Sequence, residues 1–461
     1  MSSVPAHRAL GAFLLAACLV VTGCASSGDP PSSDMPGPPD PSGPILSVTP
    51  PPGFQVPGGV SDGAGITGVG RLPTTQGDGA ALGPPSWVQP GMRLTWYGAA
   101  ASVAQSSYTY VEDAGGEWED PTTGKRYRRT DPNDPDNPED MPTAAGEAYT
   151  QTDVIAVEGN DVVLSNTLYG IDLIARQYTL QPLGGGRVPG AAVDGGWVNP
   201  DLMQTLLTTG YQGLMILRGP YLLNGQQFDG VAFVARSEGS YASSTFDAAS
   251  GVLLSMNASV EGGGAPVHGP LDDPQGNVQL SLSRFVSARQ RTIPGMDAAA
   301  PAWVATTPEL VYDGTYTATN PLDPTSGPWV WPMRQTVTFG DGGRTWSTFS
   351  SHTVIDLDGM QQPSDGSGVT GPTGLYWYDP ATLASMSQGD VIDEDPVTGA
   401  RTTVESVGGG GSGTVVTITT AMDGITLRLG YDVGTGVLVS LELTQSVTGA
   451  TVALQLTTFP Q

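Results

Sequence analysis

Beyond about residue 85 the chain is written in short alternations of apolar and polar residues. Val278-Gln279-Leu280-Ser281-Leu282 and Val452-Ala453-Leu454-Gln455-Leu456 run with period two, the pattern of strands that turn one face to a core. Those two overlap the runs 279–285 and 452–458. Further runs at 93–97, 153–156, 162–164, 214–218, 228–236, 334–339, 345–349, 415–420 and 425–429 are rich in β-branched and aromatic residues and bounded by Gly, Asn or Asp. Between them a turn signature recurs, Asp-x-x-Ser/Thr-Gly, at 120–124, 247–251, 395–399 and 432–436. An aspartate opening such a turn accepts backbone N–H groups two or three residues on, and the glycine supplies the left-handed residue that closes it. Each is expected at a hairpin tip.

Helical patterning is confined to two places. Asn199-Pro200-Asp201 precedes Leu202, Met203, Leu206 and Leu207, with Gly210 beyond; Asp379-Pro380 precedes Leu383 and Met386, with Gly389 beyond. A capping side chain, proline at the first helical position and a terminal glycine agree on one short helix at each place. Trp197 and Trp377 stand two residues before each cap and are expected to anchor the helix in the core.

The chain also repeats itself. Pro85-Ser86-Trp87-Val88 with Leu94, Trp96 and Gly98 matches Pro301-Ala302-Trp303-Val304 with Leu310, Tyr312 and Gly314. Trp197-Val198-Asn199-Pro200 matches Trp377-Tyr378-Asp379-Pro380, the run 246–255 matches 431–440, and Val278, Leu280, Leu282 and Phe285 match Val452, Leu454, Leu456 and Phe459. Four matches in one order imply an internal duplication. The expected fold class is mainly β: two tandem homologous antiparallel β modules, sandwich or half-barrel, each with one short helix. Module 1 spans 85–291 and carries a charged insertion at 113–148; module 2 spans 300–461. Unequal spacing places a second, smaller insertion near 261–276.

Ahead of the modules, 26 of the 60 residues from 25 to 84 are Gly or Pro. Such a stretch buries too little to order itself and reads as a disordered tether. Residues 1–24 begin with Arg8 before an apolar run at 9–21, then Val21-Thr22-Gly23-Cys24. The order of basic region, apolar run and an aliphatic residue before two small ones and cysteine resembles the lipobox signal of bacterial lipoproteins. The resemblance implies a signal peptide over 1–23, cleavage between Gly23 and Cys24, and acylation of Cys24. It also implies anchoring in the cell envelope, at the outer membrane of a Gram-negative host or otherwise on the outer face of the cell membrane. More than one acyl chain gives stable attachment. Cys18, the other cysteine, lies in the segment to be removed, so the mature chain is expected to lack an internal disulfide.

Composition narrows the function by exclusion. With 45 acidic against 18 basic residues the formal charge is −27, which removes nucleic acid as a partner. A nucleophile-elbow pattern at 59–63 and a dinucleotide fingerprint at 63–68 both fall in the tether, without the strand and helix that such motifs need. The glycine run 408–413 lacks the Lys-Ser/Thr of a phosphate loop and reads as a hairpin connection. Only His268 and His352 remain after processing. A triad of His352 with Ser350 or Ser351 and Asp356 has no elbow to support it, and a His/Cys metal centre lacks ligands. The run 131–140 is rich in aspartate but lacks the sixth-position glycine and twelfth-position glutamate of a calcium loop, so it reads as a solvated loop. The basic run 125–129 beside Trp118 and Tyr127 is expected to pair with neighbouring acids.

No catalytic, cofactor or metal residue is assigned. The expected function is a membrane-anchored envelope lipoprotein with a non-catalytic binding or structural role, and an envelope protein or polysaccharide as partner. A curved sheet over a short helix with Tyr/Phe-Asp-x-x-x-Gly-Val-Leu hairpins is also similar in outline to the half-barrel of periplasmic lipoprotein carriers, which implies lipid handling through an apolar cavity. A hydrolase built on paired carboxylates is the third reading.

Overall fold

The computed structural model describes residues 82–458 apart from 104–108, 112–116, 120–125, 129–143, 173–176, 194–195, 212–213, 224–225, 238–239, 262–277, 308, 320–326, 358, 372–374, 411–412 and 447–448. Module 1 opens with β1 (Met92–Val103), followed by three short strands β2 (Thr109–Val111), β3 (Glu117–Glu119) and β4 (Arg126–Arg128). The main sheet resumes with β5 (Ala144–Glu158), β6 (Asp161–Asp172) and β7 (Gln177–Pro189). Next come β8 (Ala192–Val193), β9 (Trp197–Val198) and helix α1 (Pro200–Thr209). The module closes with β10 (Leu214–Leu223), β11 (Gln226–Ser237), β12 (Ser240–Asp247), β13 (Leu253–Glu261) and β14 (Val278–Gln290).

Module 2 follows the same order after a 3-10 turn at Ala302–Ala305. Its strands are β15 (Leu310–Ala318), β16 (Trp329–Gly342), β17 (Ser347–Leu357) and β18 (Met360–Thr370), then helix α2 (Pro380–Ser385). Six more complete it: β19 (Val391–Glu394), β20 (Arg401–Gly410), β21 (Gly413–Met422), β22 (Ile425–Asp432), β23 (Leu438–Gln445) and β24 (Ala450–Leu456). Module 1 forms a nine-stranded sheet in the order β10-β11-β12-β13-β14-β1-β5-β6-β7. Module 2 forms a ten-stranded sheet, β18-β17-β16-β15-β24-β23-β22-β21-β20-β19. In both, every pairing is antiparallel and the first strand of the module lies beside the last. Of the two architectures expected, the single continuous sheet over one helix is the one found.

The duplication is visible atom by atom. Trp87 Nε1 donates to the Ser250 carbonyl at 2.8 Å, and Trp303 Nε1 to the Thr435 carbonyl at 2.7 Å. Trp197 bridges to Val252 as Trp377 does to Val437, and both indoles are fully buried. At the hairpin tips Asp247 and Asp432 each accept the N–H three residues on at 2.8 Å, while Gly251 and Gly436 take φ of 82° and 74°. A Cβ on Gly251 would overlap the carbonyl oxygen of Val198, and one on Gly436 that of Tyr378. Only glycine lets the hairpin touch the segment entering each helix. The helices start as expected: Asn199 accepts from Asp201 N–H and Asp379 from Thr382 N–H. The second helix ends at Ser385, short of Gly389.

A flat ten-stranded sheet would measure about 43 Å across. In module 2, however, Tyr376, on the segment entering α2, lies 4.8 Å from Phe349 of β17, 6.1 Å from Tyr312 of β15 and 6.4 Å from Phe339 of β16. Its neighbour Tyr378 lies 5.7 Å from Tyr431 of β22. The segment entering α2 thus reaches both arms of the sheet because the sheet curves around it. The interior of this half-barrel is filled by Trp377, Tyr376, Tyr431, Leu383, Val404, Val416 and Leu454.

Two boundaries differ from the sequence expectation. Residues 144–148, counted there with the charged insertion, are strand β5. Leu82 packs against the α1 core and the Gly83 carbonyl accepts from Asn199 Nδ2 at 2.9 Å, so the last tether residues are docked. Cys24, the run 131–140, His268 and the turn 120–124 lie outside the described residues. Within the insertion, β3 and β4 set Glu117 opposite Arg128 and Glu119 opposite Arg126 in backbone register, and β2, just ahead of it, pairs with β3. Among the described residues no helix is long and apolar enough to cross a membrane.

Candidate functional site

Alternation along β1 gives the strand two buried faces. Met92, Leu94 and Trp96 enter the module 1 core, while Arg93 and Tyr97 turn the other way and meet module 2, with Thr95 between them accepting from Gln151. Opposite them on β5 stand Asp153, Gln151 and Tyr149. The β19–β20 hairpin of module 2 brings Asp393 and Asp395 onto this face, and Arg289 and Arg291 complete it from the end of β14.

The geometry is that of a charge lock. Arg93 grips Asp153 with two parallel bonds of 2.7 and 2.8 Å and reaches Asp395 at 3.2 Å. Arg289 grips Asp393 at 2.6 and 3.0 Å, and Arg291 stands 3.1 Å from Asp153. Gln151 Nε2 donates to Asp395 Oδ2 at 2.7 Å, and the other oxygen of that carboxylate accepts Val397 and Thr398 N–H at 2.9 and 3.2 Å. Three arginines therefore face three aspartates, with module 1 contributing a surplus of two positive charges and module 2 two negative ones.

Protonation follows from this arrangement. Burial alone would push Asp153 up, but Arg291, Arg93 and Arg289 outweigh it and hold the carboxyl below its ordinary value. Asp395 is likewise raised by burial and lowered further by Arg93, the Val397 N–H, Arg289 and Gln151. Arg93 loses by burial and gains more from Asp153 and Asp395, ending well above its ordinary value. Arg291 is brought down to about 10 by burial and by Arg93, against the pull of Asp153 and Asp393. Beside the lock, Tyr97, Tyr149 and Tyr169 pack with Val397 and Ile425. Further along the joint, Ile155, Ala156 and Val163 pack with Trp346 and Val369.

Buried, pKa-shifted carboxylates are where acid–base chemistry is sought. Here each is held by arginine or amide donors, all from module 1 except the Val397 and Thr398 N–H groups on Asp395, and the group has the character of a joint. The paired-carboxylate expectation thus meets three aspartates that are near one another but spoken for.

The surface groove lies elsewhere, on the outer face of β16, β17 and β18. It holds about 410 Å³ and is lined by Thr336, Thr338, Ser350, His352, Asp365 and Ser367 among others. His352 Nδ1 is 2.6 Å from Asp365 Oδ1, its cross-strand partner, and both side chains are exposed. Asp356, the acid the sequence placed near His352, instead caps the N–H of Gly359 at 2.6 Å. Ser351 falls on the opposite face from His352 by strand alternation. The groove offers hydroxyls and one His–Asp pair on an open sheet, suited to hydrogen bonding with a ligand in water. Among the described residues no three His, Cys, Asp or Glu stand together so as to hold a metal ion.

The chain matches no family model and no curated protein. Among solved structures it is similar to MucB in its complex with MucA(peri), at 12% identity and a TM-score of 0.18, covering 79% of this chain and 88% of that one. A DUF3598-family protein of unknown function from Nostoc punctiforme PCC 73102 aligns at 8% identity and a TM-score of 0.11, covering 78% of this chain and 95% of that one. Superposition this slight bears on neither fold nor function.

Proposed function

We propose that this protein is a cell-envelope lipoprotein, anchored through acylated Cys24, that displays two β modules as one rigid binding body. The observation that carries a binding over a catalytic role is the charge lock. It consumes the buried carboxylates of the joint in holding the modules together, leaving a polar outer groove and open sheet edges as the contact surfaces. The filled interiors support the same reading, since Trp96, Trp197, Leu94 and Leu202 in module 1 and Trp377, Tyr312 and Tyr431 in module 2 occupy the space a lipid would need. The tether of 25–84 then serves to hold the body off the membrane.

Cell fractionation of the full chain and of Cys24→Ser tests this. The wild type is expected in the membrane fraction and to be released only by detergent. The variant is expected either to be soluble or to keep residues 1–23. Equal membrane retention of a processed Cys24→Ser chain would end the lipid-anchor reading.

A further inference from the structure

The two sheets differ by one strand, and the difference lies at an edge. In module 2, β19 pairs antiparallel with β20 through Val391–Thr403 and Glu394–Arg401. The counterpart of β20 in module 1 is β10, counted from the shared β1/β14 and β15/β24 pairs and from the equivalent Asp247 and Asp432 hairpins. Among the described residues no strand pairs beyond β10.

That edge is unusually apolar. Eight large apolar residues are exposed among the described residues, and four of them, Tyr211, Met215, Leu217 and Leu222, lie on or beside β10. The strand reads Leu-Met-Ile-Leu-Arg-Gly-Pro-Tyr-Leu-Leu over ten residues, long for an edge left open to water. Its backbone is ready to pair. Alternate residues of a strand direct N–H and C=O to opposite neighbours. Leu214 N–H is turned away from β11, since it donates to the Tyr211 carbonyl at 3.1 Å. Ile216, Arg218, Pro220 and Leu222 share its parity, so Ile216 and Arg218 direct N–H and C=O outward. Pro220, which has no N–H, sits where no ladder bond is lost and marks where outer pairing stops. The Arg218 side chain leans back over β11 to Asp229 at 2.5 Å and reaches Gln204 of α1 at 3.5 Å.

We infer that the β10 edge is a strand-addition site for a partner protein. It receives a short extended segment, antiparallel to residues 214–219, whose uncharged centre is apolar at alternate positions. The occupant's form comes from within the chain, because β19 fills the equivalent position of module 2 with a four-residue antiparallel strand. Its chemistry comes from Met215 and Leu217, which need apolar side chains beside them, and from backbone groups that need a strand's N–H and C=O. This goes beyond the proposed anchoring and does not depend on it.

The test uses the purified full chain and a capped probe peptide, Lys-Thr-Val-Thr-Val-Thr-Glu, at millimolar concentration. Amide hydrogen exchange is read by residue. The peptide is expected to slow exchange at Ile216 and Arg218 about tenfold or more. Arg218→Pro, which removes an outward N–H, and Leu217→Lys, which blunts an exposed position, should each abolish the slowing while far-ultraviolet circular dichroism stays unchanged. Unaltered exchange in the wild type, or equal protection in Leu217→Lys, would overturn the assignment. So would a wild-type dimer, by sedimentation, that Leu217→Lys converts to monomer, because the occupant would then be a second copy.

Discussion

Asp395→Ala removes the carboxylate at the centre of the joint. The side chain has 3% of its surface exposed and accepts from Arg93, Gln151, Val397 N–H and Thr398 N–H. After substitution three buried arginines face two aspartates, and Gln151 Nε2 loses its 2.7 Å acceptor. Breaking one partner of a buried pair costs about 3–5 kcal/mol, because an uncompensated charge stays behind. Asp395→Asn keeps an oxygen for the two backbone N–H groups and should cost less, about 1.5–3 kcal/mol. The control is Asp313→Ala, whose 3.6 Å pair with Arg334 is half exposed and is worth under about 1 kcal/mol. Urea unfolding followed by tryptophan fluorescence measures all three, and a double-mutant cycle of Asp395→Ala with Arg93→Met should show a coupling of at least about 1 kcal/mol. A loss below about 1 kcal/mol for Asp395→Ala, or no coupling to Arg93, would refute the lock as the device joining the modules.

Three further outcomes follow from the same structure. Asp153 and Asp395 are held below the ordinary value of 3.8, so the stability they add is present above that value and lost as pH falls through their lower folded values. Acid unfolding followed by circular dichroism should therefore begin below about pH 4, and Asp395→Ala should flatten its pH dependence. Gly436→Ala should cost more than about 1 kcal/mol in thermal or urea melts, since its φ is positive and a Cβ would strike the Tyr378 carbonyl, whereas Gly408→Ala, with open space around it, should be near neutral. His352→Ala, whose partner Asp365 is exposed, should change stability by less than about 1 kcal/mol by the same melts.

Much of the fold was legible because it is local. The eleven apolar runs all overlap observed strands, with only 345–346 and 457–458 lying outside them, and the Asp-x-x-Ser/Thr-Gly turns at 247–251, 395–399 and 432–436 all close as expected. β18 escaped notice because Met360–Thr370 reads as Gln, Pro, Ser, Asp and Gly; it owes its strand form to pairing with β17 rather than to its own residues. The joint escaped for a different reason. Arg93 between Met92 and Leu94, and Asp153 between Thr152 and Val154, look like the solvent face of half-buried strands. That face is dry because a hairpin some 240 residues further on covers it. Asp395 gave one signal, as the opening residue of a turn, and does that job with one oxygen while the other holds Gln151 and Arg93.

We propose an envelope protein whose folded body hangs from a lipid. Such anchoring is tested most directly by mass spectrometry of the amino-terminal peptide, taken from the chain as its host's membrane holds it. Cys24 is expected as the first residue, carrying a diacylglyceryl thioether and, where the host adds it, an amino-terminal acyl chain. An unmodified Cys24, or a chain beginning at any other residue, would contradict it.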